Sequence, residues 1–407
     1  MDFGSPRFHK SKKMKNQKTG KKMKISESIK YVGVDDHKID LFEGQFKVPN
    51  GMAYNSYLIL DDKCAVMDGV EADFCDEWLS KIRLESGGRK IDYLVVQHME
   101  MDHSGSIGKF AEMYPEAKIV ASKMAFSMMK SMLGTDFLER QVVVGEGTKL
   151  ELGKHVLNFI AAPNVHWPEV IMTYESTEKI LFSADAFGKF GANDVVDPEG
   201  WACEARRYYF GIVGKFGANV QQVLKKAGQL KIEKICSLHG PILDSEISSY
   251  LKYYNIWSSY VAENDGVLVA YTSVYGNTKK AAEYLSEILK AKGAKVSLMD
   301  LAREETYECV EDAFRYSKLV LATTTYNGGI FPIMREFIEH LTERNFQNRT
   351  VAFVENGSWA PCAAKNMEKL FEESKNLKII PEKVTIKISF TEDNKKQLKN
   401  LADALLA

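Results

Sequence analysis

The sequence predicts two α/β domains in tandem. The first is an αββα sandwich of two sheets packed face to face, and the second a doubly wound, five-stranded parallel sheet. Three observations carry this reading. Residues 30–185 mix many short apolar, β-branched runs with helical segments, a strand-rich pattern that suits two sheets with helices outside. From Val267 onward strands and helices alternate cleanly, as a parallel sheet with crossover helices requires. The 407 residues are also enough for two domains of ordinary size.

A net charge of −1 gives no global attraction to nucleic acid, and no apolar run approaches the length of a bilayer. The six cysteines (Cys64, Cys75, Cys203, Cys236, Cys309 and Cys362) are scattered, with no C-x-x-C pair. That argues against a zinc ribbon, a rubredoxin-type iron centre or a disulfide framework, and it favours a reducing cytoplasm. Residues 1–24 hold nine Lys and Arg against one acid, with little apolar content, and are expected to be a basic, disordered tail. The N-terminus lacks the apolar stretch of a secretory signal.

The first domain is assigned to residues 25–262. Strands are expected at 54–60 and 64–68, followed by a helix at 72–84 and a buried strand at 91–96. Helices at 106–114 and 123–133 enclose a strand at 118–121. Strands return at 141–144, 155–161, 169–174 and 179–183, and helices at 208–227 and 245–261 close the domain. The polar stretch Glu263-Asn264-Asp265-Gly266 reads as a turn-prone boundary.

Directly after the strand at 91–96 comes Gln97-His98-Met99-Glu100-Met101-Asp102-His103, with four potential metal ligands within six residues. Residues two apart at a strand exit share a side, so His98, Glu100 and Asp102 are expected to converge on one point, with His103 reaching a neighbouring one. This crowding suggests two ions sharing a site. His166, Asp185 and His239 each stand where a later apolar run meets a loop. Four of the eight histidines take part, and His9, His37, His155 and His340 read as ordinary. Neutral histidines with ionised Glu100, Asp102 and Asp185 bring three negative charges to four positive ones, leaving room for a bridging hydroxide. Imidazole and carboxylate without thiolate suit iron, manganese or zinc.

In the second domain, residues 266–407, strands are expected at 267–271, 295–298, 318–323, 350–355 and 383–388. Helices are expected at 278–291, 310–316, 333–342, 363–373 and 393–406. The first strand–helix turn, Thr272-Ser273-Val274-Tyr275-Gly276-Asn277-Thr278, has neither G-x-G-x-x-G nor a P-loop lysine. It is rich in hydroxyls and leads into a helix, which suits a phosphate monoester. In strand order 2-1-3-4-5 it meets the loops bearing Thr325-Tyr326-Asn327-Gly328 and Asn356-Gly357-Ser358-Trp359. A phosphate cradle beside two aromatic rings is what flavin mononucleotide (FMN) needs.

The pattern H-x-E-x-D-H with a distant His, Asp and His, together with His166-Trp167-Pro168 and Ser237-Leu238-His239-Gly240-Pro241, resembles the metallo-β-lactamase fold as used in flavodiiron proteins. Hydrolases of that fold typically carry His where this chain has Glu100. Residues 266–407 resemble flavodoxins, matching their phosphate loop at Tyr271, Ser273, Gly276 and Thr278, with a smaller Ala270 as a mild departure. The resemblance implies that His98, Glu100 and His166 hold one iron and Asp102, His103 and His239 the other, with Asp185 between them. It implies the short, two-domain form and reduction of O2 to water or of NO to nitrous oxide. Electrons would come from rubredoxin or another small donor or reduced cofactor, and the subunits would form a head-to-tail homodimer or homotetramer. The competing expectations are a zinc hydrolase with an FMN regulatory domain and an electron carrier whose metals are only structural.

Overall fold

A computed structural model describes residues 23–407. The expected basic tail up to residue 22 lies outside the described residues. At the edge of that expectation Lys24 bridges to Lys30 and Ile25 is buried.

Two sheets form the first domain, one of six strands and one of five. The six-stranded sheet runs Ile29–Tyr31, Tyr57–Ile59, Cys64–Met67, Ile91–Val96, Lys118–Ser122, Gln141–Val144. The five-stranded sheet runs Lys149–Glu151, Val156–Ala161, Ile171–Glu175, Ile180–Phe182, Lys234–Cys236. Tyr57, Val95 and Val120 from the first meet Leu157, Phe159, Phe182 and Cys236 from the second in one apolar layer. The alternation of apolar residues along these strands forces that face inward. The helices Cys75–Ser86 and Lys123–Leu133 cover the outer face of the first sheet with Trp78, Ile82, Phe126 and Met129.

Two expected elements are broken, each by a contact distant in sequence. The strand expected at 54–60 is split into Met52–Tyr54 and Tyr57–Ile59. Between them Asn55 is fully buried, with its amide donating to the carbonyls of Ser237 (2.9 Å) and Gly240 (2.8 Å), and this pins the chain out of the ladder. The helix expected at 208–227 begins at Trp201, widens over Tyr209–Val213, tightens over Gly214–Phe216 and resumes at Gly217–Ala227. A Cβ on Gly211 would stand 2.6 Å from the Phe46 ring, so the backbone lies closer to that ring than a side chain allows.

The second sheet system has the order Lys295–Asp300, Asn264–Tyr271, Tyr316–Tyr326, Thr350–Asn356, all parallel. Its fifth position is divided between Lys378–Ile379 and Val384–Ile386, both paired with Thr350–Asn356. The order is therefore 2-1-3-4-5. Asn264, Asp265 and Gly266 belong to the first strand rather than to a turn, with the exposed Asp265 side chain paired to Lys318. A Pro-free, β-compatible continuation overrides the local turn composition there.

The two regions share a packed junction. Phe210 stacks on Phe314 with ring centroids 4.1 Å apart. Arg206, buried beside them, is paired through two nitrogens with Glu263 and through a third with Glu311 at 3.1 Å. Among the described residues no helix is long and apolar enough to cross a membrane.

Candidate functional site

The strand Ile91–Val96 is buried along five of its six positions and delivers His98 to its carboxyl end. The backbone then turns. Glu100 is extended and caps a single helical turn, Met101–Ser104, whose His103 and Ser104 amides bond back to the Glu100 carbonyl. That turn corrects the strand-parity expectation. Asp102 does not join His98 and Glu100 but swings with His103 toward a second point, because helical geometry replaces strand alternation after residue 100.

Two ligand sets result. His98, Glu100, His166 and Asp185 each offer a ligand atom, all within 4.8 Å of one another, and Asp102, His103 and His239 form a second set within the same limit. His166 Nε2 lies 3.0 Å from both Glu100 Oε2 and Asp185 Oδ2, and His98 Nε2 is 3.6 Å from that same Asp185 oxygen. The other oxygen, Asp185 Oδ1, is 3.6 Å from His103 Nε2 and 3.9 Å from His239 Nε2. Asp185 thus presents one oxygen to each set. The structure brings all seven sequence-predicted side chains together.

The surroundings fit a pair of cations. His103 and His239 point their Nε2 atoms at each other across 3.1 Å, and Asp102 Oδ2 crowds the same point, 3.2 Å from the first and 3.3 Å from the second. Groups so placed are costly unless a positive charge sits among them. Burial would raise the Asp185 carboxyl, yet the surrounding His98, His166, His239 and His103 hold it well below the usual carboxylate range. Burial would likewise lower His166, but Asp185 and Glu100 push it up to about 9. The cluster draws positive charge, and metal ions would take the place of those protons.

Several neighbours were not singled out as site residues from the sequence. Glu169, fully buried, accepts from His98 Nδ1 (2.8 Å) and from the Met99 backbone N–H (2.9 Å). Trp167 sets its ring edge-on to His98 at 5.2 Å, and Phe42 and Tyr208 lie 5.5 Å from His239. The Tyr208 hydroxyl is buried without a partner. Glu169 stands three residues after His166 on one loop, which is the only hint sequence could offer. Of the histidines read as ordinary, His155 bonds Asp61 and Glu178, and His37 pairs with Asp194, both away from the cluster.

The second candidate site has a different character. Gly276 adopts φ +85°, the left-handed region, and the helix Asn277–Ala291 that follows has no side-chain cap on its first amides. Ser273 Oγ accepts from Gly276 N–H (3.1 Å), which folds the loop into a cup. Val274 and Tyr275 are exposed on it. Thr272 is buried with its hydroxyl 2.6 Å from that of Thr323, so it props the loop from below and does not line it. Thr278 is buried as well, within 3.5 Å of the Asn356 amide. The second loop forms a small hairpin, with Tyr326 pairing Gly329 around Asn327 and Gly328, both at positive φ. Thr325 Oγ1 accepts from the N–H groups of Cys362 and Ala363, tying this loop to the third. There Gly357 is buried, Ser358 is exposed and Trp359 is 92% exposed. An uncapped helix start, with exposed rings on the other two loops, fits a flavin phosphate ester.

Comparison with known proteins recovers both domains in this order. A family model described as ODP family beta lactamase matches residues 52–240, and one described as Flavodoxin domain matches residues 268–385. A nitric oxide reductase of Moorella thermoacetica is 31% identical over 364 residues, 86% of this chain and 90% of that protein. The solved rubredoxin oxygen:oxidoreductase of the anaerobe Desulfovibrio gigas superposes with a TM-score of 0.87 at 25% identity, covering 94% of this chain and 97% of that one. The flavodiiron protein of Giardia intestinalis gives the same TM-score at 24% identity, over 98% of each chain.

Proposed function

The chain belongs to the flavodiiron proteins, and on that premise we propose that it is an oxidoreductase reducing O2 to water, NO to nitrous oxide, or both, with electrons passed from an external donor through FMN to a non-haem diiron pair. The observation that carries this reading is the convergence of seven side chains into two ligand sets that share Asp185. When bound, the flavin and the irons supply the electron transfer and the binding of the diatomic.

The chain's own residues do the rest. His98, Glu100 and His166 would hold one ion, Asp102, His103 and His239 the other, and Asp185 both. Seven ligands for two ions leave coordination positions open, as a reactive centre requires. Trp167, Phe42 and Tyr54 wall the ligands with rings and keep bulk water from them. Burial, reinforced by the nearby Asp185, Glu100 and Asp102, keeps the Tyr208 phenol protonated. In the second domain the first-turn amides of the helix Asn277–Ala291, with Ser273, Val274, Tyr275, Gly276, Asn277 and Thr278, would take the FMN phosphate. Thr325, Tyr326, Asn327, Gly328, Asn356, Gly357, Ser358 and Trp359 would border the ring.

The exposed Tyr275, Tyr326 and Trp359 support burial of the flavin edge against another subunit, and we place the working form as a head-to-tail homodimer or homotetramer. The six free thiols support a cytoplasmic setting. A rubredoxin-like protein or a reduced cofactor is the proposed donor.

Side-by-side consumption of O2 and NO by the pre-reduced protein tests the function. Two irons and one FMN per chain with rapid consumption of either gas are expected. Stoichiometric zinc with no O2-dependent flavin reoxidation would instead mark a hydrolase.

A further inference from the structure

We infer that Glu169 is a positioning residue that makes the two ligand sets unequal, so that iron fills the His98–Glu100–His166 set before the Asp102–His103–His239 set. The inference rests on the reading of those residues as iron ligands.

The sets differ in what stands behind their imidazoles. His98 donates through Nδ1 to the Glu169 carboxylate at 2.8 Å, with both side chains completely buried. This bond fixes the ring tautomer, turns Nε2 toward the ligand point and makes that nitrogen a stronger donor. His239 donates through Nδ1 only to a neutral carbonyl, that of Ala53, at 2.8 Å. His103 Nδ1 is buried with no hydrogen-bond partner. A carboxylate therefore stands behind an imidazole of the first set, and a neutral carbonyl or nothing behind those of the second.

Glu169 is placed for this task by its loop. The loop between Val156–Ala161 and Ile171–Glu175 carries His166 into the first set and Glu169 behind the other histidine of the same set. Its backbone is docked independently: Ile171 N–H donates to the Gln97 carbonyl (3.1 Å), and Ser122 Oγ to the Glu169 carbonyl (2.9 Å). Glu169 Oε2 meanwhile has no hydrogen-bond partner. A carboxylate with one oxygen buried and unbonded is a poor choice for loop docking alone, because a glutamine would accept the same two bonds without burying a charge. A charged group is explained if its task is to support a cation held through His98.

The test is anaerobic titration of Fe(II) into the iron-depleted, FMN-loaded protein against a competing chelator. The unaltered chain should bind two irons in two resolved steps. In Glu169→Gln the tighter step should weaken by about ten- to a hundred-fold, approaching the second, while FMN content and far-ultraviolet circular dichroism stay unchanged. Glu169→Asp should restore part of the separation. Iron-edge anomalous diffraction at one equivalent of iron, on the unaltered chain, adds a reading that no misfolded variant can confuse, with occupancy expected at the His98 set. Occupancy of the His239 set first, a single unresolved step, or Glu169→Gln steps identical to the unaltered ones would each overturn the inference. Failure of the unaltered chain to bind two irons at all would overturn the ligand reading itself, a distinguishable result.

Discussion

Both candidate sites lie at the carboxyl ends of strands, yet they are built from opposite materials. The metal cluster uses side chains: His98, His103, His239 and Asp185 are essentially inaccessible, and each aims a particular atom. The flavin loops use backbone: a glycine at φ +85°, an uncapped helix start, and rings such as Tyr275 and Trp359 left 92% exposed. A site of the first kind tolerates few residue types, and its shape is set before any ligand arrives. A site of the second kind accepts varied sequence, and its rings gain their packing only from what binds.

The sharpest way to break this contrast is to damage each site alone. His239→Ala should abolish gas reduction and at least one iron while retaining a full complement of FMN, read by metal analysis and flavin absorbance. Full activity in that variant would sink the ligand assignment.

The mirror experiment is Gly276→Val. A Cβ there meets nothing within 4 Å, so the effect is purely that of a branched residue at positive φ. Strain of about 1–3 kcal/mol should weaken FMN roughly tenfold or more, with both irons in place. Iron loss in parallel would show that the two sites are not separable.

Arg206 lies at the junction and asks whether the two regions unfold together. Arg206→Ala removes the cation paired with the buried Glu263 and Glu311 carboxylates and should cost about 3–5 kcal/mol. Urea unfolding followed separately by flavin release and tryptophan fluorescence should show two transitions where the unaltered chain shows one.

The smallest effect concerns His155, a histidine outside both sites. Burial alone would lower it, but Asp61 and Glu178 raise it; burial alone would raise Asp61, but hydrogen bonds from His155 hold it below its ordinary value. The His contribution is complete below about pH 6.5 and fades as pH rises through the raised folded value, while the Asp contribution is complete above about pH 4 and fades as pH falls through the depressed one. The stability lost in His155→Gln should therefore be greatest between about pH 4 and 6.5 and smaller at pH 9, by urea midpoint. An equal loss at both values would count against the pairing.

How much could be read beforehand follows the same division. The seven candidate ligands were legible because imidazole and carboxylate at strand ends are chemically conspicuous. Their partition was not legible from strand parity, which put Asp102 with His98. Only the helical turn Met101–Ser104 shows otherwise. Glu169 and Tyr208 were invisible, since a buried carboxylate and a phenol look like ordinary loop and helix residues until the fold brings them to His98 and His239. The strand–helix alternation after Val267 read well, apart from the divided fifth strand. The N-terminal strands, two or three residues each, are too short for periodicity to register. The break at Asn55–Ser56 depends on carbonyls nearly two hundred positions away, which no local window contains.

His98, Glu100, Asp102 and His103 leave the six-stranded sheet, whereas His166, Asp185 and His239 leave the five-stranded one. Each ion would therefore be a rivet through the seam of the sandwich. Chelation should loosen the halves of the first domain from one another, and a protease offered the stripped protein should cut first along that opened edge.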